Sequence, residues 1–128
     1  MTTWRWISES VALAIREEQL SEHGGSPGMR DIGLLQSALA RPVNRAADGE
    51  ADVFDLAAAY AFGVIRNHAF ADGNKRTAFM VSLTFLVDNG YELTTGDSDQ
   101  VLMTLRLADG SVGEEAFAAW LREKSAAL

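Results

Sequence analysis

The chain has 128 residues, of which 48% are hydrophobic, no cysteine and a formal net charge of −7. That length suits a single domain over residues 1–128 with a core built without crosslinks. The missing thiols exclude disulfides, thiolate metal sites and cysteine nucleophiles, and agree with a reducing cytoplasm. The acidic balance argues against broad binding to a nucleic-acid backbone and suits a basic protein partner.

In chain order the pattern reads as helical. Met1–Ile7 holds Trp4, Arg5 and Trp6 without an apolar signal-peptide region, and the two Trp read as anchors of the N-terminus. Ser8 can cap a first helix running to Ser21, with Ile7, Val11 and Ile15 on one face. His23-Gly24-Gly25-Ser26-Pro27-Gly28 is a cluster of turn residues, and Pro27-Gly28 suits a turn with positive φ at the glycine. His23 reads as an exposed residue at a helix end. Asp31 can cap a second helix to Ala40, which Pro42 should disrupt, leaving Asn44–Ala51 as a loop.

Asp52 opens a third helix ending near Asn67, and Gly73 or Asn74 begins a fourth that stops at Asn89-Gly90. Both are apolar on nearly every side, which places them as the central pair, joined by the turn Ala69–Asp72. Their apolar runs, Leu56–Ile65 and Ala78–Val87, are about ten residues each, half the roughly 20 that a membrane span needs. Tyr91–Thr95 suits a short extended piece. Asp97 with Gln100, and Ser111 with Glu114, have capping-box spacing for two further helices. Val101, Leu105 and Ala108 should face inward on the fifth, and Phe117, Trp120 and Leu121 on the sixth. Asp97–Asp99 reads as a helix start, since no third carboxylate lies at metal-ligand spacing. The fold class is all-α, a compact bundle of about six helices around one core.

The chemistry concentrates in residues 68–78, His-Ala-Phe-Ala-Asp-Gly-Asn-Lys-Arg-Thr-Ala. A helix start leaves backbone N–H groups unpartnered, and the macrodipole adds positive potential there. Gly73 lets a ligand approach the backbone, so a phosphate fits this place. Lys75 and Arg76 add cations that cost about 0.3–1 kcal/mol each at a helix N-terminus unless an anion offsets them. Asn74 can donate through its amide, and Asp72 is an oxygen ligand suited to Mg²⁺ beside phosphate oxygens. His68, across the turn, can accept a proton near neutral pH. Taken singly, these residues also fit caps and turns; together they fit phosphoryl transfer, which needs positioning, charge neutralisation and an oriented nucleophile. Phe70, between polar neighbours, reads as a plug into the core.

His68, Phe70, Asp72, Gly73, Asn74 and Arg76 match the Fic signature His-x-Phe-x-Asp/Glu-Gly-Asn-Gly-Arg-x-x-Arg, with Lys75 at its second Gly and Phe79 at its final Arg. With these departures the chain resembles the death-on-curing (Doc) toxins, whose version is His-x-Phe-x-Asp-Gly/Ala-Asn-Lys-Arg-Thr-Ala. Gly24-Gly25-Ser26-Pro27-Gly28-Met29 also looks like the loop before the family's second helix. The resemblance spans essentially the whole chain.

It implies a six-helix fold and a toxin of a toxin–antitoxin pair, acting as a kinase on a threonine of translation elongation factor Tu with ATP and Mg²⁺. A small Phd-like antitoxin with a disordered tail would be the partner, with no nucleic acid or membrane contacted directly. By motif position His68 would be the general base and Asp72 the Mg²⁺ ligand. Gly73, Asn74, Lys75, Arg76 and Thr77 would cradle phosphates, and Gly24–Met29 would receive the target segment. Trp4, Trp6 and Met29 could also touch a partner. A Fic-type adenylyltransferase and a non-catalytic phosphate- or antitoxin-binding module are the alternatives.

Overall fold

A computed structural model describes residues 3–128; Met1 and Thr2, the start of the Met1–Ile7 stretch, lie outside the described residues. The order is α1 (Glu9–His23), α2 (Ile32–Asp48), α3 (Val53–Asn67), α4 (Asn74–Asp88), β1 (Tyr91–Leu93), α5 (Asp97–Asp109), α6 (Glu114–Lys124) and β2 (Ser125–Ala127). The described residues thus form a six-helix, all-α domain with one small ribbon.

Helix α3 is the hub. It packs against α2, α4 and α6, and Leu56, Ala57, Ala58, Ala59, Tyr60 and Val64 are fully sealed from solvent. Its alanine-rich middle lets neighbouring helices approach closely. At Gly63 an added Cβ would lie 3.1 Å from the Ala38 carbonyl oxygen of α2. Helix α4 is buried along Ala78, Val81, Phe85 and Leu86, but Val87 is exposed, so it is less enclosed than its sequence implies.

The expected break at Pro42 does not occur: α2 continues to Asp48, and residues 44–48, expected as loop, are helical. A proline inside a helix removes one hydrogen bond and costs about 3 kcal/mol. Here Pro42 shares a buried face with Leu35, Ala38 and Leu39. The apolar surface that face removes from water offsets the cost, at about 25 cal/mol per Å². The residue whose carbonyl loses its partner to Pro42 is Ala38, and that carbonyl faces Gly63.

Ser8 caps α1 as expected, accepting from Val11 N at 3.3 Å. The buried face of α1 is Ala12, Arg16 and Gln19, however, and Val11 is 41% exposed. Asp31 caps α2 through Gly33 N, and Asp52 with Asp55 closes a reciprocal box at the start of α3. The boxes expected at α5 and α6 are not formed. Gly96 and Gly113 are the N-caps, and Ser111 instead donates its N–H to Asp109 at the end of α5. On α5 the buried residues are Thr104 and Leu107, while Val101 and Leu105 are 59% and 46% exposed. Phe117 and Leu121 point inward on α6 and Trp120 is half-buried, close to expectation.

The N-terminal segment is anchored as the two tryptophans suggested. The Trp6 ring stacks on Phe85 at 5.8 Å, and Ile7 N–H donates to the Tyr60 hydroxyl at 2.9 Å. Burial pushes the Tyr60 phenol up to about 12, despite the Ile7 hydrogen bond, so it stays neutral. The extended piece at 91–93 finds its partner at the C-terminal end: Tyr91, Glu92 and Leu93 pair antiparallel with Ala127, Ala126 and Ser125. No helix is long and apolar enough to cross a membrane among the described residues.

Candidate active site

The end of α3 and the start of α4 meet in a tight turn. His68 caps α3 in the left-handed conformation, φ 52°, the one non-glycine residue with positive φ among those described. That cap swings the imidazole out to solvent. Its Nδ1 lies 3.2 Å from the Ile65 carbonyl. A carbonyl only accepts, so Nδ1 carries the proton in this bond, and the neutral ring keeps Nε2 as its basic nitrogen. Arg30 braces the same residue by donating from Nη1 to the His68 carbonyl at 3.2 Å.

Phe70 enters the core completely. Asn74 holds the turn around it: Phe70 N–H donates to Asn74 Oδ1 at 3.2 Å, and Asn74 Nδ2 donates to the Phe70 carbonyl at 2.9 Å. Both ends of the amide are therefore used, and Asn74 is 6% exposed. Its side chain does not offer a donor to the cleft, which corrects the reading from spacing. Only its backbone N–H remains for an anion.

Gly73 begins α4 with φ 78° and open space beyond its missing Cβ. The left-handed turn, not a close approach, is what requires glycine here. Helix α4 has no side-chain cap and no acidic residue in its first turn. The first amide to find a partner is Thr77 N–H, on the Gly73 carbonyl. The N–H groups of Asn74, Lys75 and Arg76 are left without hydrogen-bond partners among the described residues. Neither Lys75 nor Arg76 enters an ion pair there. A cleft of about 230 Å³ opens on these groups, lined by His68, Ala71, Asp72, Gly73, Asn74, Lys75 and Arg76. Thr77 does not reach it. Its side chain is fully buried and its hydroxyl has no partner among the described residues, so it makes no direct contact with a phosphate in this conformation.

Asp72 is exposed at the mouth of the cleft. Oδ1 accepts from Gly73 N at 2.8 Å, and Oδ2 lies 3.4 Å from Ser26 N. The loop Gly24–Met29 is thereby drawn against the motif. Met29 and Phe70 form an antiparallel bridge, flanked by Ala71 N to the Gly28 carbonyl and Arg30 N to the Ala69 carbonyl. Positive φ falls at Gly24 and Gly25, not at Gly28 as the Pro-Gly pair suggested. A Cβ at Gly25 would sit 2.9 Å from Asp72 Oδ2, so this glycine permits the approach. His23, beside the loop, is an exposed helix end near Glu22.

The pattern of the Fic/DOC family matches residues 6–86, more than half of the chain and all of this junction. This chain belongs to the Fic/Doc family. It is 35% identical over 120 residues to the protein kinase Doc of Escherichia phage P1, covering 92% of this chain and 94% of that protein. It is 46% identical over 72 residues to the toxin Doc of Mycolicibacterium smegmatis, covering 55% of each.

Within the Fic/Doc chain, the motif residues gather as the spacing suggested, except that Asn74 and Thr77 turn their side chains inward. Two features escaped the sequence reading. One is a second groove of about 550 Å³ between α4 and α5, which shares Lys75 and Arg76 with the first cleft and continues along Phe79, Met80, Val101, Thr104 and Leu105. Apolar periodicity on α5 marked Val101 and Leu105 as core, and only the packing shows that they line an open groove. The other is Arg16, a buried cation in α1 that no local pattern singles out.

Proposed function

We propose that this protein is the toxin of a toxin–antitoxin module, a protein kinase that moves the γ-phosphate of ATP to a threonine of translation elongation factor Tu. The observation that carries the reading is the uncapped start of α4, with Lys75 and Arg76, facing His68 across one cleft. His68 Nε2 takes the proton from the threonine hydroxyl. The freed oxygen forms a bond to the γ-phosphorus while the bond from that phosphorus to the bridging oxygen breaks, and ADP leaves with the electron pair. The amides of Asn74, Lys75 and Arg76 and the two cationic side chains hold the phosphate oxygens as charge develops on them.

A single carboxylate suits Mg²⁺ that completes its shell with phosphate oxygens and water. Asp72 fits that donor set: it is exposed in the lining of the cleft, and its Oδ2 makes only a long contact, 3.4 Å, with Ser26 N. Bound there, Mg²⁺ would supply neutralisation of phosphate charge.

The α4–α5 groove favours a nucleotide laid with its γ-phosphate at the cleft. Phe79 stands where the Fic signature has a final Arg, so the groove beyond Arg76 is mainly apolar, with Asp97, Gln100 and Thr104 on its α5 side. That surface suits a base and ribose better than a polyphosphate tail. A small antitoxin is the expected partner.

Incubation with elongation factor Tu and γ-labelled MgATP should label the factor. Label from α-labelled ATP alone would point instead to the adenylyltransferase alternative. His68→Ala should slow transfer by about 10²–10⁴-fold while the fold persists, because the side chain is exposed. A His68→Ala protein as toxic as the parent would favour the non-catalytic module.

A further inference from the structure

Arg16 is the one buried charged side chain among the described residues, at 4% exposure. No carboxylate lies within ion-pair distance of it there. Sealing a cation away from water is costly unless its donors are filled. Arg16 fills its two terminal nitrogens with three consecutive backbone carbonyls of one loop, while its buried Nε has no partner among the described residues. Nη1 donates to Pro27 O, and Nη2 donates to Ser26 O and Gly28 O, each at 3.0 Å. The guanidinium lies 4.5 Å from the centroid of Phe70, the ring that plugs the motif turn. One side chain from α1 therefore touches both the Gly24–Met29 loop and the turn between His68 and Asp72.

The consequence is directional. With the carbonyls of residues 26–28 drawn inward, the loop shows a fixed outer edge. Met29 forms the non-hydrogen-bonded pair with Phe70, so its own N–H and C=O face away from the motif. Its side chain is 41% exposed. We infer that Arg16 is a positioning residue that locks the Gly24–Met29 loop beside His68, so that a hydroxyl-bearing segment of a protein substrate is presented to the imidazole. The role in transfer rests on the kinase reading above; the locking of the loop does not. A planar fork suits this place, because its edge donates to the carbonyls while its face stacks on the ring, and a tetrahedral ammonium has no such face.

Arg16→Lys and Arg16→Met test this in the full-length protein. Hydrogen exchange at Arg30, Asp31 and Ala71, whose amides close the loop onto the motif, should accelerate about tenfold, a change of about 1.4 kcal/mol, while α3 amides stay unchanged. In transfer from MgATP to elongation factor Tu, KM for the factor should rise about tenfold, with kcat and MgATP affinity nearly constant. Lys should recover part of what Met loses, and it carries the test alone if the Met variant does not fold. Unchanged loop exchange would overturn the inference. So would a looser loop with an unaltered KM, or MgATP affinity falling together with kcat, which would mark general support of the fold. If the parent protein phosphorylates nothing, the kinase reading fails by itself and the exchange data still decide whether Arg16 locks the loop.

Discussion

Two polar side chains in the first turn of α4 are sealed from the cleft, and they use their polar atoms in opposite ways. Asn74 spends its whole amide on the Phe70 backbone, which makes it the clasp of the turn. Thr77 buries a hydroxyl with no partner among the described residues. An unsatisfied buried donor costs about 1–3 kcal/mol, and replacing it by a methyl of the same shape removes that cost. Thr77→Val should therefore hold or raise stability by up to about 1 kcal/mol in urea denaturation. Its transfer rate should stay within about twofold, a span under about 0.5 kcal/mol. A rate loss of 100-fold on the order of a general-base deletion would show that the hydroxyl turns out to meet phosphate. The sequence made the residue types and their clustering legible, because His68, Asp72, Lys75 and Arg76 line one cleft. It could not say which way an amide or hydroxyl faces, since spacing along a helix start is the same for an inward clasp and an outward donor.

At the scale of elements, helices declared themselves by apolar content, while their ends depended on partners distant in the chain. Pro42 looked like a terminator because its local cost is visible and the face it shares with Leu35, Ala38 and Leu39 against α3 is not. Gly63 is the counterpart of that contact. Gly63→Ala would drive a methyl to 3.1 Å from Ala38 O and 3.3 Å from Ala38 Cα, both backbone atoms. The gain in helix propensity, near 1 kcal/mol, should be outweighed by overpacking, with a net loss of about 1–3 kcal/mol. A higher urea midpoint in the variant would refute that ranking.

The α3 start joins α6 in the same long-range way. Arg122 donates to Asp52 at 2.8 and 3.0 Å and to Asp55 at 3.2 Å. Burial alone would raise the Asp52 pKa, but the Arg122 bonds and charge and the Asp55 N–H outweigh it and hold the carboxyl below its ordinary 3.8. A lowered carboxylate stabilises the fold above the unfolded-state pKa, and that contribution is lost as pH falls from there through the folded value. The Asp52 side chain is 45% exposed, so solvent screening keeps the pair below about 1 kcal/mol. Between about pH 5 and about pH 3, Arg122→Met should show a shallower loss of stability than the parent protein. Parallel urea midpoints across that window would remove the pair as a source of acid sensitivity.

For the whole molecule, the central place of α3 followed from its all-round apolar sequence, and the single core followed from length. The closing ribbon did not: β1 and β2 have three residues each and lie on either side of α5 and α6, too short to show a period. The molecule carries a net charge of −7, so a polyphosphate is repelled at long range and must be held by local groups. In the proposed reading those groups are the amides at the start of α4, unpartnered among the described residues, with Lys75 and Arg76. A ligand that binds only the folded state stabilises it by mass action, about 2.7 kcal/mol at 100 times its Kd. MgATP at that level should raise the melting temperature of the parent protein. Lys75→Ala with Arg76→Ala should abolish the shift at the same nucleotide concentration, because both side chains are exposed and their loss leaves the core intact. Added salt should reduce the parent's shift, since ion contacts at an open cleft are screened within about 8–10 Å. An equal shift in parent and double variant would place the nucleotide away from this junction, and with it the groups that His68 is positioned to serve.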